Sequence, residues 1–244
     1  MRPLKVNRYL QNEGTCAVAS AASVANYFNP NIDFDYALAL AEKYISKRTG
    51  DGMWASQTVR LLNHLGFKKI KIVSSDVDVL DYGWSRLSQK NLIRKINQKC
   101  KLLSYWDKKG WLDMVDSLKS DLGQNSLVID YCFRKHIQEQ LKQKMPVLLS
   151  FNWTMFFKCP KYNESIGKDD AMKGDCGWHE VVCVGCTNTG AYIVDSHHED
   201  YKYRLRKYKK GRYHVRWDEL MICMGQNSDL IIPQQYDPAW VSEI

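Results

Sequence analysis

The chain lacks long apolar runs. Stretches such as Val181–Val184 fall far short of the ~18 residues a helix needs to cross a bilayer, so no membrane span and no membrane partner is expected. Proline is scarce, with six in 244 residues, and fourteen glycines leave no room for a long flexible linker. There is no internal repeat. The composition also lacks the low hydrophobicity of disordered chains, since 45% of residues are hydrophobic and 25% charged, which places it among folded globular proteins. No secretion signal is expected either: basic Met1–Arg8 precedes the Ala/Ser-rich stretch Cys16–Ala25, but Gln11, Asn12 and Glu13 interrupt it and its apolar part has no Leu or Ile. A cytoplasmic location is therefore expected. The eight cysteines at 16, 100, 132, 159, 176, 183, 186 and 223 are then thiols without a disulfide framework.

What is present reads as helices at the front and a sheet at the back. Helices are expected over 15–28, with Thr15 as N-cap and Asn29-Pro30 as stop, over about Asp35–Lys47, and over about Ala55–Leu65 ending at Gly66. Thr49-Gly50-Asp51-Gly52 is a turn-rich loop, and Lys69–Val73 alternates as a short strand. Residues 80–125 carry helical patches, Leu87–Ile96 and Trp111–Leu118, among many lysines and read as a helical insertion. A helix over Phe133–Gln143 leads through Met145-Pro146 into the strand Val147–Phe151, and a long loop covers about 153–177. Antiparallel strands follow at Glu180–Val184, Ala191–Asp195, Tyr201–Tyr208 and Arg212–Trp217, with a last strand at Asp229–Ile232. The class is α+β. The expected layout is one domain: a helical part at about 9–78, the insertion at about 79–126, a sheet part at about 127–233 and a C-terminal tail at 234–244.

Histidine is scarce too, and that narrows the chemistry. A cysteine at a helix N-terminus is activated by the helix dipole and free N–H groups, and Cys16 has that placement. It needs a proton acceptor, and there are six histidines. His64 and His136 fall within helix patterns, His214 lies in a basic strand, and His197 and His198 sit at a strand exit, where exposed surface is the ordinary reading. His179 opens a strand, and Asp195 closes the next one. A five-residue connection over Gly185–Thr189 puts His179 directly opposite Asp195, whereas a tight turn at Asn188-Thr189 moves Asp195 about three residues away, roughly 10 Å at strand rise. The longer connection is the expectation.

These residues resemble a family. Gln11-Asn-Glu-Gly-Thr-Cys16 followed by a small-residue helix is similar to the start of papain-like cysteine peptidases, closest to the C39-like branch. His179-Glu-Val-Val-Cys-Val-Gly185 and Tyr192-Ile-Val-Asp195-Ser196 resemble that family's histidine strand and orienting Asp/Asn, and Leu65-Gly66, the Pro-Val strand before 149 and Trp217–Leu220 match its surroundings. The resemblance covers about 9–75 and 127–222; Ala17 departs from the glycine usual after the nucleophile, and 80–125 has no counterpart. It implies a papain-like fold, a peptide or protein substrate, and a cysteine peptidase with Cys16 as nucleophile, His179 as base and Asp195 as its orienter. Gln11 and the Cys16 N–H then form the oxyanion hole, and no cofactor or metal is required. Acyl transfer to an amine, as in transglutaminases or deamidases, uses the same three groups.

Other features allow plainer readings. Cys16 alone reads equally as a buried thiol, Gln11 as a loop amide and Asp195 as a turn cap with Ser196. Cys183-Val-Gly-Cys186 has zinc-like spacing but no second close pair, since Cys159 and Cys176 are seventeen residues apart. The segment 202–216 interleaves Lys and Arg with Tyr and suits an acidic or nucleic-acid partner, or a solvated hairpin edge. A net charge of +8, from 35 Lys+Arg against 27 Asp+Glu, is modest for a dedicated nucleic-acid binder. A non-catalytic binding module built on that hairpin is the alternative from another class.

Overall fold

The computed structural model describes residues 1–45, 52–163, 165–197, 210–225 and 227–244. In chain order the elements are α1 (Cys16–Phe28), α2 (Phe34–Tyr44), α3 (Ala55–His64), β1 (Leu65–Ser74), α4 (Gln89–Lys99), α5 (Tyr105–Lys119), β2 (Gln124–Ile129), α6 (Phe133–Lys142) and β3 (Val147–Asn152). There follow α7 (Trp153–Phe157), β4 (Tyr162–Asn163), β5 (Lys168–Asp169), β6 (Trp178–Cys186), β7 (Gly190–Val194), β8 (Arg212–Arg216), α8 (Trp217–Met224) and β9 (Asp229–Val241).

The fold is α+β around a mixed sheet whose described residues form seven strands in the order β2-β1-β9-β3-β6-β7-β8. One face carries Ile70, Ile72, Leu148, Val182, Val184 and Ile231 against α1, α2 and α3, with α4 and α5 beyond. The other carries Leu149, Phe151, Val181, Leu230 and Ile232 against α6, α7 and α8. Alternate residues of each strand feed opposite cores, as the two-residue period of a strand requires. Every residue of α1 from Ala17 to Asn26 is buried. Its alanines and serines are small enough to be enclosed on all sides, which is why its apolar periodicity in the sequence is weak.

Several expectations need correction. The sheet is not a purely antiparallel, C-terminal unit: β1 from the front of the chain belongs to it, and β2 pairs with β1 in parallel. A parallel neighbour needs a long crossover, and α4 with α5 supplies it, so residues 80–125 bring the chain back to the sheet edge. Residues 234–241 are not a tail but continue β9 against β1, with Leu65 paired to Val241. The 153–177 loop holds α7 and the small β4–β5 hairpin. Trp217–Met224 forms α8 where the strand over Arg212–Trp217 was expected to end. The strand expected at Tyr201–Tyr208 lies outside the described residues, as do His198 and the loop residues 49–51.

Register at the β6–β7 hairpin also differs from expectation. Near the turn Cys186 pairs with Ala191 and Gly185 with Tyr192, the tight-turn register set aside above. Beyond it Cys183 pairs with Ile193 and Val182 with Val194, so Val184 is an extra, bulged residue. Carried one residue on, this register sets Asp195 across from Val181, two positions from His179 and on the same face. Without the bulge Asp195 would sit opposite Val182, with its side chain on the wrong face. The N-terminal segment braces the bulge, since the Leu4 N–H donates to the Val184 carbonyl at 2.7 Å.

Candidate active site

Cys16 is the first residue of α1, and its thiol is half-buried. The N-cap residue Thr15 turns its hydroxyl back to the Asn12 carbonyl at 2.8 Å and does not cap the first turn, leaving those N–H groups available. Burial opposes ionisation of the thiol. A hydrogen bond and the charge of His179, with the backbone N–H groups of Glu180 and Ala17, outweigh it and hold Cys16 below the usual thiol range.

His179 enters from β6, where it pairs with Phe151 of β3 and packs edge-on against that ring. Its Nε2 lies 2.8 Å from Asp195 Oδ1, and both groups are buried, at 4% and 0% exposure. The pair forms diagonally across the β6–β7 ladder, within reach of an aromatic side chain. Burial alone would lower the imidazole pKa, but the Asp195 carboxylate and the Cys16 thiol raise it to about 10. The structure therefore brings Cys16, His179 and Asp195 together, with the imidazole hydrogen-bonded to the carboxylate and near enough to the thiol for each to shift the other's pKa.

Asp195 is held by more than His179. Its Oδ1 also accepts the His197 backbone N–H at 2.8 Å, and its Oδ2 accepts the Tyr213 hydroxyl at 2.9 Å. Asp195 thus makes both the bond of a turn cap, to the His197 N–H, and a side-chain bond to His179. Arg8 donates through Nε to the Asp195 carbonyl at 2.6 Å and through Nη2 to the His197 carbonyl, fixing the chain on either side. Gly211 makes room for it: its φ is +62°, and a Cβ there would overlap the Arg8 guanidinium and the Asp195 carbonyl. Gln11 joins through Ser196: its N–H donates to the Ser196 carbonyl at 2.9 Å, and its Oε1 accepts the Ser196 hydroxyl at 2.8 Å. That leaves the Nε2 side of the amide free to donate elsewhere.

Tyr213, Arg8, Trp153 and Glu180 were not picked out from the sequence. Alternation in Arg212-Tyr213-His214-Val215-Arg216 was a usable signal, because it turns Tyr213 inward. Trp153 stacks on His197, centroids 5.2 Å apart and planes at 19°, so His197 is half-buried rather than exposed. Glu180 follows His179, and its carboxyl is pushed up to about 8 by burial and by the neighbouring Cys16 charge. The remaining histidines serve elsewhere: His64 stacks on Tyr44, His136 pairs with Asp130, and His214 meets Thr187.

Among the described residues no three His, Cys, Asp or Glu side chains converge as a metal site would require. Cys183 is buried with its thiol 3.6 Å from the Gly185 carbonyl, and burial pushes it up to about 12. Of the basic segment, 202–209 lies outside the described residues; Arg212, His214 and Arg216 line the exposed side of β8, the last of the described strands in the sheet. Among the described residues no helix is long and apolar enough to cross a membrane.

No family model matches the chain, and no curated protein is similar to it. Among solved structures it is similar to a chain from Bacillus anthracis whose provisional description is a C39-like peptidase. The two share 12% identity over 97% of this chain and 100% of that one, with a TM-score of 0.46.

Proposed function

We propose that this chain is a cysteine peptidase of papain-like, C39-like type. The observation that carries the reading is the convergence of Cys16, at the N-terminus of a buried helix, with His179, which is hydrogen-bonded to the buried Asp195. A depressed thiol beside a raised imidazole is the charge arrangement of a thiolate–imidazolium pair. In this reading the Cys16 thiolate attacks the peptide carbonyl carbon, and the oxyanion is held by the Gln11 amide and the Cys16 N–H. His179 gives its proton to the departing amine, leaving a thioester on Cys16. Water then attacks the thioester with His179 as base, releasing the carboxylate product and regenerating the thiol. Asp195 keeps the imidazole in one tautomer and orientation throughout. A reducing compartment such as the cytoplasm suits a free reactive thiol.

The test is the rate of Cys16 alkylation by iodoacetamide against pH, read by peptide mass spectrometry. In wild type Cys16 is expected to react well below pH 7, and in His179→Ala only near the ordinary thiol range of ~8.5. A wild-type Cys16 that titrates like an ordinary thiol would overturn the reading.

A further inference from the structure

A polar row crosses a sheet face that is otherwise apolar. Glu180 of β6 pairs with Ser150 of β3; the Ser150 hydroxyl meets the Asp229 backbone of β9 at 3.2–3.4 Å, and Asp229 pairs with Ser74 of β1. All four lie on the face under α3 and α5. Two carboxylate oxygens in this row, Glu180 Oε1 and Asp229 Oδ1, are buried and have no hydrogen-bond partner. Glu180 is only 7% exposed, and its other oxygen has the Thr58 hydroxyl alone, at 3.4 Å. Neither carboxylate has an ion-pair partner among the described residues. Glu180 meets its burial by keeping a proton, whereas the unmatched Asp229 oxygen faces the cavity and suits a donor brought by a ligand.

At Asp229 the row opens into a cavity of about 210 Å³. Its walls include Trp54, Trp106 and Trp111, with Asp76 beside Asp229. Trp111 is set in place by its Nε1–H, which donates to Asp76 at 2.9 Å. At the rim the Lys109 ammonium already lies 5.6 Å from the Trp54 ring centroid and 5.8 Å from that of Trp106. Indole faces attract an organic ammonium or guanidinium and offer no ligand atom to a metal ion. The cavity also lies close to the reacting thiol. The Glu180 N–H lies near enough to the Cys16 thiol to help lower its pKa, and Asp229 is two strands further on, about 10 Å at ordinary strand spacing. That is the span of about three residues of extended substrate.

We propose that this cavity is a specificity subsite for a cationic side chain, lysine or arginine, of the peptide cut at Cys16, with Asp229 receiving its charge between the indoles of Trp54 and Trp111. The assignment rests on the peptidase reading, and two separate measurements keep the two apart. Binding is read on the full chain carrying Cys16→Ala, by NMR titration of the indole N–H signals with the N-acetyl methylamides of lysine, arginine and norleucine. At least one cationic probe is expected to bind about ten-fold or more tighter than norleucine, with Asp229→Asn removing the preference. Trp106 is 61% exposed, so Trp106→Ala leaves the fold intact, and it is expected to weaken the cationic probe. Equal binding of norleucine, no binding of any probe, or a preference that survives both variants overturns the subsite. Cleavage of a mixed peptide library by wild type is read independently. Cuts with no enrichment of lysine or arginine also overturn the subsite while the peptidase stands. A cation preference without any cleavage overturns the peptidase and leaves the cavity a cation site.

Discussion

Asp195 shows how firmly the candidate site holds a buried carboxylate. Among the described residues three donors, from His179, His197 and Tyr213, converge on its two carboxylate oxygens inside the protein. The Tyr213 bond is the most easily removed without changing shape. Tyr213→Phe is expected to lower kcat/KM on a cleaved peptide about ten-fold, the worth of one hydrogen bond to a charged group, with KM little altered. A steady-state comparison checks this, and an unchanged kcat would remove Tyr213 from the positioning network. At this scale the sequence is legible where residue type itself carries chemistry. Cys16, His179 and Asp195 could be singled out as candidates because a thiol at a helix start, one of only six histidines and a carboxylate closing the next strand stand in that order, and Gln11 because it stands ahead of them in a segment that resembles a family's. Tyr213, Arg8 and Trp153 could not, because their roles arise from partners that only the folded chain brings near.

Among the elements, the bulge at Val184 decides whether the hairpin puts its histidine and aspartate on one face. Its neighbour Gly185 lies against the N-terminal segment, and a Cβ there would meet the Pro3 Cα at 2.9 Å. Gly185→Ala is therefore expected to displace that segment, weaken the Leu4–Val184 bond and cost about 1–3 kcal/mol, read as a fall in thermal midpoint. An unchanged midpoint would show that the bulge stands without its brace. Elements with a strong local signature, α2, α3, β3 and β6, were readable close to their bounds. The register was not, because a bulge costs one residue and leaves no mark in an apolar run such as Val181-Val-Cys-Val184. Nor was β2, whose Gln124-Asn-Ser-Leu-Val-Ile earns its place by pairing with β1 rather than by its own composition.

For the molecule as a whole, buried carboxylates set the response to pH. Glu180 is raised from 4.5 to about 8, so the folded state binds a proton that the unfolded chain releases at lower pH. Its stabilising contribution is full below pH 4.5 and is lost as pH rises through 8. Glu180→Gln abolishes this dependence. In urea unfolding the variant is expected to match wild type near pH 4.5 and to gain on it at pH 9, by on the order of a few kcal/mol. Equal pH profiles would show that Glu180 is not buried as an acid. The α+β class was readable because helical patterns come early and alternating ones late, but the sheet order was not, since no local pattern places β9 between β1 and β3. That placement governs how the protein is made. Among the described residues, strands β2 and β1 on one side and β3, β6, β7 and β8 on the other pair only through β9. During synthesis the two halves must wait, unjoined, until Asp229–Ile232 leave the ribosome. A nascent chain stalled before that point carries its thiol and its imidazole over a sheet still in two pieces.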